Sequence, residues 1–168
     1  GKSAFIVFSD FRDIARAAKT VAGSMFFNQG ESCNAPSRVF VHESVADEFL
    51  AVVAAEAPKY APGDPLSGHA ETGAIVDETQ LRTVLGYIDA GEEAGAKLVV
   101  DGRQTQVDGS DEGFWVGPTL FDHVSPDMTI YTYEIFGPVL SVVRVSGYQE
   151  GLDLINANRY GNGTAIFT

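Results

Sequence analysis

The stretch FFNQGESCN, residues 26 to 34, contains the only cysteine of the chain, Cys33. Its neighbours are polar residues and a glycine, whereas a structural cysteine is typically a small apolar residue of the core. A thiolate is a strong nucleophile, and a catalytic site lowers its pKa or places a base beside it. Backbone N–H groups at and near Cys33 could stabilise the oxyanion formed on an attacked carbon. The segment predicts a nucleophilic site, with a buried structural cysteine as the alternative.

A cysteine hydrolase and a metal site are the alternatives to this nucleophilic site. A cysteine hydrolase needs a histidine folded against the thiol, and His42, His69 and His123 are all distant from Cys33 in sequence, which leaves that dyad open. One cysteine and three scattered histidines have no zinc-ligand spacing, and the acidic loop DGSDEG at 108 to 113 lacks the pattern of a calcium loop. We therefore predict no metal site, and this loop is interpreted as a solvated turn.

The stretch YEIFGPVL, residues 133 to 140, places Glu134 inside an apolar, aromatic run beside a Gly-Pro turn. A carboxylate buried there without a partner would be costly. Glu134 therefore either binds a ligand in a cleft or lies in water at the end of a strand. The residues alone leave both interpretations open.

The two glycines of GNG, residues 161 to 163, partly match the glycine-rich fingerprint of a dinucleotide-binding site. No third glycine follows, and the predicted order is helix, glycines, strand rather than strand, glycines, helix. We interpret these glycines as the end of a helix.

Composition and charge exclude several classes of function. The chain has 11 basic and 23 acidic residues, a net charge of −12 at pH 7, so its surface repels nucleic acid and anionic membranes. Its apolar stretches are too short to cross a bilayer, and no secretory signal begins the chain. One cysteine forms no internal disulfide. We predict a soluble, cytoplasmic protein without nucleic-acid or membrane partners.

Strand-like and helical segments alternate along the 168 residues, a length typical of one domain. Predicted strands are KSAFIVF, SRVFVH, KLVVDG, FWVGPTLFDHV, IFGPVLSVVRV and TAIFT, and predicted helices begin near Asp10, Glu43, Asp77 and Tyr148. Asp77 is expected to cap its helix and Gly95 to end it. Parallel strands need crossover connections, so this alternation predicts an α/β domain with a largely parallel sheet flanked by helices. Both chain ends look cut, which indicates a fragment.

Several motifs together resemble the aldehyde dehydrogenase superfamily in order and spacing. They are GKS at the start, FFNQGESCNAPSRVFVHESVADEF, GDPL, GPTLF, EIFGPVL and YGNGTAIFT. The resemblance covers almost the whole chain and implies the catalytic domain of an NAD- or NADP-dependent enzyme over residues 1 to 168. It also implies a small-molecule aldehyde substrate and a homo-oligomer.

The resemblance implies roles for three residues. Cys33 would attack an aldehyde to form a thiohemiacetal and then a thioester, and its amide would help form the oxyanion hole. Glu134 would hold the ribose hydroxyls of the nicotinamide cofactor, and Phe136 would pack near that cofactor. The family's general base, most of its cofactor domain and its carboxy-terminal segment lie outside this sequence. We therefore expect the chain alone to be inactive or barely active.

The resemblance is less uniform in two respects. The family usually has glutamine where this chain has Glu31, and a negative charge near Cys33 would disfavour its thiolate. The segments from GKSAFIVFSD through PKYAPGDPL are similar to dehydrogenases of γ-glutamyl-γ-aminobutyraldehyde and other aminoaldehydes. YGNGTAIFT is similar to the acyl-CoA-forming methylmalonate-semialdehyde branch. Hydrolysis of the thioester is preferred over transfer to coenzyme A, and a non-catalytic assembly module and an ester-cleaving cysteine hydrolase remain alternatives.

Overall fold

The computed structural model describes residues 2–110 and 113–168. Gly1 of the GKS motif and residues 111 and 112 of the acidic loop lie outside the described part. The strands are β1 (Ala4–Val7), β2 (Arg38–His42), β3 (Lys97–Val100), β4 (Thr119–Asp122), β5 (Val139–Val145) and β6 (Thr164–Phe167). The α-helices are α1 (Ile14–Phe26), α2 (Glu43–Glu56), α3 (Glu78–Glu93), the short α4 (Thr129–Thr132) and α5 (Tyr148–Ala157).

The described strands form one sheet in the order β3-β4-β5-β2-β1-β6. Within it the pairings β4-β5, β5-β2, β2-β1 and β1-β6 are parallel, and β3-β4 is antiparallel. The prediction of an α/β fold with a largely parallel sheet is confirmed. The antiparallel edge and the short α4 are features that the sequence pattern did not indicate.

Helices cover both faces of the sheet. Alternate residues of a strand point to opposite faces, and β2 shows this directly: Val39 and Val41 belong to a core cluster with α1 and α2, while Phe40 belongs to a second cluster with α3 and α4. The buried residues of α1 recur at helical spacing from Ile14 to Phe26, as its amphipathic sequence requires. Two packed cores therefore hold the sheet rigid between them.

The helix boundaries follow local capping chemistry at most positions. The Asp77 carboxylate accepts a hydrogen bond from the Gln80 amide at 2.7 Å and begins α3, and Gly95 follows its end with a φ of +91°, so both predictions are confirmed. The interpretation of Gly161 to Gly163 as a helix end is wrong. Helix α5 ends at Ala157 because Asn158 is already extended there, and the glycines lie in the loop before β6.

Five of the described strands are parallel, and four of them, β1, β2, β5 and β6, follow predicted site residues at the same edge of the sheet, because parallel neighbours share their direction. Lys2 precedes β1, Cys33 precedes β2, Glu134 and Phe136 precede β5, and Asn162 precedes β6. Ligands of open α/β sheets usually bind outside the carboxyl ends of the strands. Here the predicted site residues gather at the amino ends instead. Among the described residues, no helix has the length and apolar character needed to cross a membrane.

Candidate active site

Cys33 lies on an exposed turn between α1 and β2. The Ala35 amide donates to the Ser32 carbonyl at 3.1 Å, and the Ser32 hydroxyl donates to the Asn34 side-chain oxygen at 2.6 Å, which closes this turn. The Asn162 side-chain amide donates to the Cys33 carbonyl at 2.9 Å and ties the turn to the loop before β6. The alternative of a buried structural cysteine is therefore wrong, because the thiol is accessible.

The backbone amide of Cys33 is available to an incoming group. Within residues 2–110 and 113–168, this N–H forms no hydrogen bond with a protein acceptor. An N–H in that state on an exposed turn binds water or a ligand. It is therefore able to donate to an oxyanion formed on a carbon bonded to the Cys33 sulfur.

The backbone leading to Cys33 is held in an unusual conformation. Asn28, Gln29 and Gly30 have consecutive φ values of 50°, 47° and 72°, all in the left-handed region. Each non-glycine residue held there costs about 1 kcal/mol or more. The Glu31 amide donates to the Asn28 carbonyl at 2.9 Å, and the Gly73 amide donates to the Gln29 side chain at 3.2 Å. These bonds hold a strained turn of the kind that clusters at functional sites.

The Glu31 carboxylate bonds to groups on both sides of this turn. One oxygen accepts from the Gln29 side-chain amide at 3.1 Å, and the other accepts from the Val76 backbone amide at 3.2 Å. Glu31 therefore links the turn to the loop that precedes α3. Its effect on the Cys33 thiolate stays a prediction.

The segment that carries Glu134 and Phe136 packs directly on the Cys33 loop. A Cβ atom placed on Gly30 would lie 2.3 Å from the Gly137 carbonyl oxygen, so the two backbones touch. Ser32 and Glu134 both line a cavity of about 10 Å³ between these segments. The structure thus packs the loop that carries Cys33 against the segment that carries Glu134 and Phe136, although these residues are up to 103 positions apart in sequence (136 − 33).

Phe136 is held with its ring partly exposed. Its φ is 56°, again left-handed, and 39% of its surface is accessible. The Gln80 side-chain amide donates to the carbonyls of Ile135 and Phe136, both at 2.8 Å. Sequence analysis missed Gln80: with Asp77 it forms an Asp-x-x-Gln pattern typical of a local capping box, yet its side chain reaches across to the loop before β5.

We expect Gln80→Leu to loosen residues 134 to 137, because it removes both of these bonds. The expected loss in free energy of unfolding is about 1 to 2 kcal/mol, and amide hydrogen exchange in this segment should accelerate. Gln149→Leu is the matched control, since Gln149 donates only to Asp153 on the surface of α5. Equal exchange in the two variants would show that Gln80 does not hold the segment.

Two cations are buried beneath the site. Lys2 is 2% exposed and donates from Nζ to the Ile130 carbonyl, and Arg38 is 1% exposed and donates from Nη2 to the Lys2 carbonyl at 2.9 Å. The Arg38 guanidinium also lies 5.0 Å from the centre of the Tyr131 ring. Burial, with a smaller contribution from Arg38, lowers the pKa of Lys2 to about 7, while Glu134 acts in the opposite direction. Lys2 therefore titrates near neutral pH.

The Lys2 pKa predicts a pH-dependent stability. Between about pH 7 and pH 10.5 the unfolded chain holds the Lys2 proton and the folded chain does not, so stability rises with pH in this window. Relative to Lys2→Met, the free energy of unfolding should increase by about 1.4 kcal/mol per pH unit. Urea unfolding of both proteins across this range measures the difference. A constant difference would mean that Lys2 keeps its ordinary pKa in the folded protein.

The histidines are placed away from Cys33. His42 ends β2 and lies 2.8 Å from the Ser44 hydroxyl, at the opposite edge of the sheet from the Cys33 turn. His123 follows the carboxyl end of β4, and His69 lies in the loop after residue 67. Across the described chain no histidine hydrogen-bonds Cys33, and no group of three or more histidine, cysteine, aspartate or glutamate residues could hold a metal ion.

A groove runs from the Cys33 turn along the exposed face of α1. Its volume is about 530 Å³, within the range of small-molecule sites. The lining residues are Phe5, Lys19, Thr20, Gly23, Ser24, Phe27, Ser32 and Asn34. Ser32 and Asn34 are the sequence neighbours of Cys33, so the groove reaches the turn that carries Cys33, although Cys33 itself does not line it.

The fold and this site define a class: an α/β domain that presents one accessible thiol at the amino ends of its parallel strands. The strained turn that leads to Cys33 packs on the segment carrying Glu134 and Phe136, and a ligand-sized groove reaches the residues on either side of Cys33. The chain belongs to the aldehyde dehydrogenase family, whose model matches residues 1–168.

Individual relatives agree with this assignment. The chain is 42% identical over 167 residues to malonate-semialdehyde dehydrogenase 2 of Oceanobacillus iheyensis. The matched region covers 99% of the chain and 34% of that protein. It is 39% identical over 168 residues to the NADP/NAD-dependent aldehyde dehydrogenase PuuC of Escherichia coli, covering 100% of the chain and 33% of that protein. The crystal structure of γ-glutamyl-γ-aminobutyraldehyde dehydrogenase from Burkholderia cenocepacia superposes with a TM-score of 0.93 at 45% identity, over 100% of this chain and 33% of that one. The chain thus spans about a third of the length of these relatives.

Proposed function

We propose that residues 1–168 form the catalytic domain of an NAD- or NADP-dependent aldehyde dehydrogenase in which Cys33 is the nucleophile. The observation that carries this proposal is the exposed Cys33 on its strained turn, with a backbone amide that has no acceptor among the described residues. Family membership and the relative named for NADP/NAD dependence support the activity. The reaction oxidises a small aldehyde to a carboxylic acid.

The first chemical step belongs to Cys33. Its sulfur attacks the aldehyde carbon, a C–S bond forms, and the carbonyl π electrons move to oxygen to give a thiohemiacetal. The Cys33 amide donates a hydrogen bond to the developing oxyanion. This bond strengthens as negative charge builds up on the oxygen, so it lowers the barrier to attack. The turn around Cys33 is held by Ser32 and Asn162, so the sulfur and the amide keep a fixed relation during attack.

The segment packed on the Cys33 loop is the proposed contact for a nicotinamide cofactor. Glu134 is half-buried there, and its carboxylate would accept hydrogen bonds from ribose hydroxyls, while Phe136 presents a partly exposed ring for packing. Gln80 orients that segment. A bound cofactor, held by Glu134 and Phe136, would supply the hydride acceptor that oxidation of the Cys33 thiohemiacetal to a thioester requires. Cys33 then carries the acyl group until it is released.

We propose that water releases the acyl group, with transfer to coenzyme A as the alternative outcome. Homo-oligomer formation stays a prediction from the family resemblance, and a cytoplasmic location stays a prediction from the sequence. The accessible Phe27, Tyr133 and Ile166 are compatible with further contacts between subunits or domains. A cysteine hydrolase is less well supported, because no histidine among the described residues bonds Cys33.

The proposal is tested in two stages. In the first, the isolated chain is treated with iodoacetamide with and without aldehydes, and a bound aldehyde should slow alkylation of Cys33 reversibly. In the second, the longer polypeptide that contains this chain is given aldehydes with NAD or NADP, and reduced cofactor should form. The chain alone should give no turnover. Failure of every aldehyde in both stages would refute the proposed function.

A further inference from the structure

The groove beside Cys33 contains one kind of charge. Of its lining residues, Lys19 alone is charged, and the others are Phe5, Phe27 and small or neutral polar residues. Lys19 is exposed, and within the described part of the chain no carboxylate forms an ion pair with it. An uncompensated cation in a ligand-sized groove is notable in a chain whose net charge is −12.

Helical geometry places this charge away from the thiol. Lys19, Gly23 and Phe27 follow at intervals of four residues, so they share one face of α1 and its continuation. Eight residues of α-helix rise about 12 Å. Phe27 lies at the end nearest the Cys33 turn and is 67% exposed, and the ammonium group of Lys19 belongs to the far end. The groove therefore runs from the Cys33 turn, past Phe27 and Gly23, to a cationic end at Lys19.

We infer that this groove selects aldehydes that carry an anionic group at the end opposite the aldehyde, with Lys19 as the specificity-determining residue. The inference rests on the proposed function and narrows its substrate class to semialdehydes of dicarboxylic acids. Phe5 and Phe27 supply apolar surface for the methylene chain, and Lys19 attracts the carboxylate. An aminoaldehyde would bring its ammonium group to the same end, where Lys19 repels it.

The addition of Cys33 to the aldehyde needs only the thiol and the aldehyde. The Cys33 thiol adds across the aldehyde carbonyl, so that a C–S bond replaces the carbonyl π bond and the thiol proton ends on oxygen. No cofactor takes part in this addition. Protection of Cys33 from alkylation by aldehydes therefore reports the affinity of the groove without turnover.

The test compares the native chain, Lys19→Gln and the control Lys97→Gln, which removes an exposed lysine of β3 remote from the groove. Lysine and glutamine have similar helix propensity, so Lys19→Gln should fold. Alkylation rates of Cys33 by iodoacetate and iodoacetamide are measured at an ionic strength of about 0.01 M, where charges act over about 30 Å. Lys19→Gln should lower the iodoacetate-to-iodoacetamide rate ratio by about two- to fivefold.

Aldehydes of equal length then identify the ligand. Protection by 9-oxononanoate, nonanal and 8-aminooctanal, which are long enough to span the roughly 12 Å from the Cys33 end to Lys19, is expected to decrease in that order in the native chain and in Lys97→Gln. In Lys19→Gln the first two should become equal. Equal protection by the anionic and neutral aldehydes in the native chain, or a rate ratio unaffected by Lys19→Gln, would overturn the inference. No protection by any aldehyde would instead refute the role of Cys33 on which it rests.

Discussion

Cys33→Ala is expected to abolish aldehyde oxidation in the polypeptide that contains this domain, with a fall in kcat on the order of 10⁴-fold. The reason is that alanine has no nucleophile, and neither a thiohemiacetal nor a thioester forms without the C–S bond. The loss should lie in kcat rather than in cofactor affinity, because Cys33 is not among the described residues that line the cavity beside Glu134. Formation of reduced cofactor, followed by absorbance with saturating aldehyde, measures it.

Two controls separate chemistry from folding in this experiment. The free energy of unfolding should change by less than about 0.5 kcal/mol, because the Cys33 side chain is exposed and fills no core. Cys33→Ser keeps the size of the side chain but replaces the thiol by a far less acidic hydroxyl, and it should be nearly as inactive. Turnover within tenfold of the native rate in either variant would place the nucleophile elsewhere.

Gly30→Ala is expected to destabilise the domain by at least about 3 kcal/mol. Its new Cβ would lie 2.3 Å from the Gly137 carbonyl oxygen, 2.5 Å from the Gly137 carbonyl carbon and 2.9 Å from the Pro138 nitrogen. All three are backbone atoms that cannot rotate away. The only relief is to separate the Cys33 loop from the segment carrying Glu134 and Phe136. Urea unfolding measures the loss, and Cys33 alkylation reports the displaced turn.

Gly68→Ala is the matched control for this substitution. Gly68 has a φ of +71°, almost equal to the +72° of Gly30, but a Cβ there would meet no atom within 4 Å. Gly68→Ala therefore measures the cost of the left-handed backbone alone, about 1 kcal/mol. Similar losses in the two variants would contradict the close packing of Gly30 on Gly137. A difference of 2 kcal/mol or more, an estimate from the cost of a backbone clash, would support it.

The chain's own sequence determined most of the fold. The six strands and the helices α1, α2, α3 and α5 have apolar spacings that local physics resolves, and Asp77 and Gly95 mark their helix boundary by capping chemistry. Alternation of these elements requires crossovers, and crossovers require parallel pairing. The interpretation of Gly161 and Gly163 as a helix end is wrong because the residues around a glycine do not distinguish a helix end from a turn before a strand.

The sequence also determined which residues could do chemistry. Cys33 in a polar, glycine-containing segment and Glu134 in an apolar run are both recognisable from their local sequence. It did not determine where they meet. The contact between Gly30 and Gly137, the reach of Gln80 to Phe136 and the bond from Asn162 to Cys33 join positions between 56 and 129 residues apart. Such contacts depend on the order of strands in the sheet, which brings the amino ends of β1, β2, β5 and β6 to one edge. Strand order is a property of packing over the whole chain, so only the tertiary structure decides it.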